Sequence, residues 1–153
     1  MIVVRPMGEA DIEIIAACVR QADRNEIVEG CGQTVAGALS YGLRASVKAH
    51  VICWDDTTLA AFGDVSHSPC AGIGIPWLVS THAIEQHARP FLRACRPLLS
   101  LMLVRHPTLV NYVDARNTAA IRWLEWLGFT MSSPSPYGPN QLLFRQFHMN
   151  QDS

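Results

Sequence analysis

The sequence predicts an α/β fold, and three observations carry that reading. Residues 109–129, LVNYVDARNTAAIRWLEWLGF, read as a strand, a tight polar connection, an amphipathic helix and a helix stop. Apolar periodicities along the rest of the chain follow the order β-α-α-β-β-β-α-β-α-β, with no repeat or linker between them. At 153 residues the chain is long enough to bury a core as a single domain, expected over 1–149 with a polar tail at 150–153.

Each element has its own local cause. Residues 1–5 form a strand closed by Pro6, and Glu9 and Asp11 suit the positive end of the helix that follows. Ile12, Ile15, Ala16 and Val19 are its buried stripe. Residues 21–33 read as a polar connection broken by Gly30 and Gly32. Thr34 caps a second helix, in which Val35, Leu39 and Leu43 stack at i, i+4 and i+8. Runs 49–54 and 59–65 form a hairpin across Asp55-Asp56-Thr57. A loop at 66–72 leads to a third apolar run, 73–79, in which Pro76 predicts a bulge or splayed edge.

Residues 80–87 are a connection, and Pro90 opens a helix faced by Phe91, Cys95, Leu98, Leu99 and Met102, with a kink expected at Pro97. Strand 109–113 then passes through residues 114–117 to a helix capped by Asn117 or Thr118. Ala120, Ile121, Leu124 and Leu127 bury one face of that helix, and Gly128 stops it. A Ser/Pro/Gly-rich loop at 132–139 and a last strand at 142–148 complete the chain.

Composition narrows the function classes. Hydrophobic residues make up 49 % of the chain and charged ones 16 %, which suits a well-buried sheet or an apolar association surface. A net charge of −1 offers no electrostatic case for nucleic acid or a membrane surface. No apolar run reaches membrane-span length and the N-terminus lacks signal-peptide architecture, so a cytoplasmic protein is expected. The five cysteines are widely spaced, with no C-x-x-C pair, and read as reduced hydrophobes. The six histidines have no metal-like spacing, so no metal is expected.

Asn117, Ala120, Ile121, Leu127, Gly128 and Phe129 together resemble the strand–helix signature of the GNAT (GCN5-related N-acetyltransferase) superfamily. The element order agrees along nearly the whole chain. The resemblance implies a bent, mixed, mostly antiparallel sheet flanked by helices, with a cleft where strands 73–79 and 109–113 diverge and a bulge at Pro76. It also implies acetyl-CoA as cofactor. Backbone at Leu78 and Val79 would meet the pantetheine arm and acyl oxygen, and Gln86, Arg89, Arg93 and Asn117 would bind the rest.

Two departures stand out. Arg89 and Phe91 replace the small residues of the phosphate cradle, and Pro90 removes one of its N–H groups. Either Arg89, Arg93 and Arg96 substitute for the cradle, or they are a solvated face and no CoA binds. The position of the usual acid, a Tyr, holds Leu124, and run 73–79 has no ionisable side chain. His82 and Glu85, just beyond that run, are the nearest catalytic candidates; Tyr112 reads as packing.

A closer resemblance extends through PWLVST, Phe91, Arg93 and Arg96, His-Pro-x-Leu-Val-Asn-Tyr-Val, and Ile-Arg-Trp-Leu-x-x-Leu-Gly-Phe. This pattern is similar to a GNAT-like group of short-tailed bacteriophages, some of them internal virion proteins. It implies an acetyltransferase-like protein in the host cytoplasm that transfers acetyl to an amine of a host component. The alternative is a non-catalytic interaction protein that binds a host or virion protein, with the virion interior as a second location. Trp77, Trp126 and Tyr41 would be candidates for an apolar contact patch, and the oligomeric state is open.

Overall fold

The computed structural model describes residues 1–151; Asp152 and Ser153 of the expected tail lie outside the described residues. Eight strands form one sheet, β1 (Ile2–Pro6), β2 (Ser46–Trp54), β3 (Thr57–Ser68), β4 (Ile73–Ser80), β5 (Thr108–Asp114), β6 (Thr130–Met131), β7 (Ser135–Tyr137) and β8 (Leu142–Asn150). Their order is β1-β2-β3-β4-β5-β8-β6, with β7 also on β8, and every pairing is antiparallel except β4–β5. Asn150, expected in the tail, ends β8 opposite Thr108.

Helices α1 (Ala10–Ala17), α2 (Gln21–Asn25) and α3 (Val35–Ala45) cover one face. They bury Ile15, Val19, Ile27, Val35 and Leu39 against Val51, Ala61 and Val79. Helices α4 (Ala88–Arg105) and α5 (Thr118–Leu127) cover the other. Phe91, Leu92, Met102 and Ile121 there meet Ile52, Phe62, Leu109 and Phe147. The alternation of strand side chains sorts these two sets, which is why both faces are apolar.

The expected caps are in place. Thr34 Oγ1 accepts from the Gly37 N–H at 3.0 Å, and Asn117 Oδ1 accepts from the Ala120 N–H at 3.4 Å. Gly128 stops α5 at φ 106°, a conformation without the penalty a Cβ would bring. α4 runs on through Pro97, and among the described residues no helix is long and apolar enough to cross a membrane.

Three local expectations need correction. Residues 21–33 are not a plain connection: α2 passes into a π-turn at Glu26–Gly30, because Ile27 has a core to enter and Gly30 packs its bare Cα on Phe144. Two short strands, β6 and β7, flank and enter the Ser/Pro/Gly loop because the long β8 offers a free edge. Pro76 carries no bulge on β3; register runs unbroken from Ala60↔Ser80 to Ser66↔Gly74, and the irregularity falls between Ser66 and Ser68. Pro76 is tolerated because its N-side faces the open gap toward β5, where no ladder bond is lost.

Candidate active site

Strands β4 and β5 pair only at Ile73↔Thr108 and Gly74↔Leu109, then splay. Asn111 spans the gap from β5. Its Nδ2 donates to the Pro76 carbonyl at 2.7 Å, while its Oδ1 accepts from the Tyr112 N–H at 2.8 Å. A cavity of about 650 Å³ passes through the opening and has a limb on each face of the sheet. Phe91, Cys95, Leu98, Met102, Trp123 and Leu124 line the limb between α4 and α5. Glu26, Cys31, Tyr41, Trp77, Tyr112 and Tyr137 line the other.

Residues 74, 76, 78 and 80 of β4 turn their backbone polar groups toward β5, since N–H and C=O of alternate residues share a side. Gly74 is in the ladder, and Pro76 has no N–H and a carbonyl already bonded. At the wide mouth the Ser80 N–H donates to Asp23 Oδ2 at 2.7 Å, and its C=O accepts from the Arg20 N–H at 2.8 Å. Leu78 is left with its N–H and C=O pointing into the gap.

The mouth is crossed by a buried polar network. Arg20 bonds Asp23 Oδ1 at 2.8 Å, Asn117 Oδ1 at 2.7 Å and Ser80 Oγ at 3.2 Å, and its guanidinium lies 5.0 Å from the ring centre of Trp123. Asp23 also accepts from Ser80 Oγ at 2.5 Å and from Asn117 Nδ2 at 3.3 Å. This network joins α2 to the end of β4 and to the cap of α5.

Glu26, on the first residue of the π-turn, projects from the α1–α3 side. Its Oε1 accepts from the Asp114 N–H at 2.9 Å, the Asn117 side chain is its other polar neighbour, and no basic side chain among the described residues pairs with it. Loss of hydration raises its pKa to about 7; the bond from Asp114 N–H opposes that rise and the nearby Asp23 carboxylate adds to it. Burial likewise pushes up the Cys31 thiol and the Tyr137 phenol. Tyr112 and Tyr137 stack with centroids 4.3 Å apart. The Trp77 indole lies under Gly42 of α3, where a Cβ would collide with it, and donates to Ser46 Oγ at 2.6 Å.

Of the residues singled out from sequence, Leu78, Val79 and Asn117 line the cavity. His82 and Glu85 are exposed on a single 3-10 turn, His82–Gln86, with Gln86 beside them, and none of the three lines it. Arg89 and Arg93 lie on the solvent face of α4, where Arg96 stacks on Trp126 at 4.0 Å. The His87 ring stacks on Trp54, and in the first turn of α4 the Ala88 and Arg89 amides have no intrahelical partner. Sequence reasoning missed Arg20, Asp23 and Glu26. Their spacing of three residues was the available signal, because it puts all three near one helix face.

A splayed parallel strand pair inside an otherwise antiparallel sheet, with a cleft through it, defines the GNAT acetyltransferase fold. No family model and no curated protein matches the sequence. Solved structures do match across the chain. One is a GNAT-family acetyltransferase from Bacillus anthracis, at a TM-score of 0.70 and 8 % identity over 99 % of this chain and 96 % of that one. A second is yncA from Salmonella typhimurium with its cofactor acetyl-CoA, at 0.65 and 14 % over 99 % and 95 %. A third is the aminoglycoside acetyltransferase AAC(6')-Ib with coenzyme A, at 0.67 and 16 % over 99 % and 96 %. The chain therefore has the fold of GNAT acetyltransferases.

Proposed function

We propose that this chain is a GNAT-type N-acyltransferase that takes acetyl-CoA and acylates an amine presented to Glu26. One observation carries the reading: a single cleft has the free Leu78 amide at the strand gap and, on the α1–α3 side, a carboxyl with no basic partner.

The residues fit such a donor by their chemistry. The α4–α5 limb is apolar along its length, and Leu78 offers the N–H and C=O an extended arm needs. The Ala88 and Arg89 amides, with the Arg89 and Arg93 side chains, are what α4 offers to a diphosphate. Two structures that share the fold hold acetyl-CoA or CoA, which supports the choice of donor.

Bound acetyl-CoA would supply a thioester-activated acetyl group that passes to the amine nitrogen as the C–S bond breaks. Glu26 Oε2 takes the proton from the ammonium, so that the nitrogen lone pair is free to attack. The Leu78 N–H donates to the oxygen that gains charge. Leu124 has no proton to give, and burial holds the Cys95 thiol at a pKa of about 12. With no side-chain acid in reach, the second proton that the nitrogen sheds as the amide forms would pass through water to the leaving thiolate.

A second reading, a non-catalytic GNAT-fold binding protein, is favoured by the mouth itself. Asp23 and Arg20 already occupy Ser80's backbone groups there, and Pro90 leaves one fewer amide on α4. The phage-like motifs around residues 76–81 and 106–129 support a host component or a virion protein as acceptor or partner in either reading.

Calorimetric titration with acetyl-CoA at low salt tests the first reading. Micromolar binding is expected, weakened roughly tenfold by Arg89→Ala or Arg93→Ala, since a charge-assisted hydrogen bond contributes about 1.5–3 kcal/mol. Absence of binding at millimolar ligand overturns it. Pull-downs from host lysate would then follow for the second.

A further inference from the structure

The α1–α3 limb of the cleft restricts the acceptor more sharply than the fold does. Among the described residues lining the cleft, Arg20 is the only basic one, and it is committed to Asp23, Asn117, Ser80 and the face of Trp123. Arg116, beyond the lining, is engaged by Asp114 and Glu29. No cation in the lining is therefore free to meet a negatively charged substrate, and Arg44, outside it, lies over the outer ring of Tyr41 at 6.0 Å. The limb's walls are Tyr41, Trp77 and the stacked Tyr112–Tyr137 pair, and the one lining acid without a basic partner is Glu26.

We propose that the acceptor is a small amine with an apolar or aromatic body and no carboxylate. The inference rests on the acyl-transfer reading of the same cleft. The ammonium would pair with Glu26, and the aromatic faces would cover both the body and the positive charge. A carboxylate on the α-carbon would be carried into an apolar, carboxylate-bearing limb with nothing to pair with, a costly desolvation. Amino acids are thus excluded by charge, although their amines would reach Glu26.

Phenethylamine and phenylalanine differ only by that carboxylate. Calorimetric titration of each into the free protein at pH 8, without acetyl-CoA, reads the discrimination directly. Phenethylamine is expected to bind at least tenfold more tightly than phenylalanine, with phenylalaninamide resembling phenethylamine. Glu26→Gln should remove most of the phenethylamine affinity and its rise between pH 6 and 8. Tyr41→Ala, at a half-exposed wall position, should weaken it several-fold while preserving the fold.

Equal or tighter binding of phenylalanine overturns the proposal, as does binding of none of the three or an unaffected Glu26→Gln. Acetyl-CoA binding without amine binding sinks this acceptor class and leaves the transferase reading. Amine binding without acetyl-CoA binding leaves an amine-binding cleft and sinks the transfer.

Discussion

The two ends of the β4–β5 wedge are each held by a buried carboxylate, yet they do different work. At the narrow end Asp64 of β3, with no exposed surface, accepts two bonds from Arg105 at 2.8 Å and meets His106 Nε2 at 2.8 Å. His106 follows α4 and lies on Gly74, where any Cβ would collide with its ring. This clamp ties the end of α4 to the sheet where the two strands are still paired. At the mouth Asp23 and Arg20 use the same chemistry, but their partners are Ser80 and Asn117, at the end of β4 and at the cap of α5. One carboxylate locks a joint. The other occupies backbone that a ligand would need.

Asp64→Asn tests the narrow end and should have the largest effect. Removing the charge leaves Arg105 with a broken bidentate pair and costs about 3–5 kcal/mol, as breaking a buried ion pair usually does. Urea unfolding would read the loss, and acetyl-CoA binding by the folded fraction should not change. A cost below about 1 kcal/mol would mean that the clamp is not what holds the wedge closed.

Asp23→Asn probes the mouth. Stability should fall by about 1–3 kcal/mol, because Arg20 loses a buried partner. Here ligand binding should change too: acetyl-CoA affinity is expected to rise as the Ser80 amide is released toward the gap. An unchanged affinity would erase the functional contrast between the two ends.

The smallest effect concerns pH. Folded Glu26 keeps its proton to about pH 7, whereas the unfolded carboxyl loses it near its ordinary value of 4.5. Between those values the folded state binds more protons, so stability falls as pH rises through the window and is level on either side. Allowing for the water that reaches the cleft, the loss should be about 1–2 kcal/mol. Thermal unfolding of Glu26→Gln from pH 4 to 8 should lack that decline.

Legibility in the sequence followed the range of each interaction. The unit at 109–129 could be read because its strand, cap, apolar stripe and glycine stop are local, and the caps at Thr34 and Asn117 are local for the same reason. α2 and its π-turn were missed because a five-residue helix is too short for periodicity to show. Its stability comes from Ile27 in the core and Gly30 on Phe144, contacts more than a hundred residues apart in the second case. Of the two outcomes expected at Pro76, a bulge or a splayed edge, the structure has the splay. Proline signals a missing donor, but only the direction of β5 decides whether that donor was needed.

The site divides along the same boundary. By itself the sequence determined the order of the longer strands and helices, without α2, β6 and β7, together with the strand–helix signature and the absence of a Tyr at Leu124, since these depend on residue identity and near neighbours. Tertiary structure alone decided that His82 and Glu85 are turned to solvent on a turn outside the cleft, while Glu26 enters it. It also decided that Arg20 is spent on Asp23 and Asn117, the latter 97 residues away. Charge, pKa and access are properties of surroundings, and those surroundings are assembled only when distant segments pack.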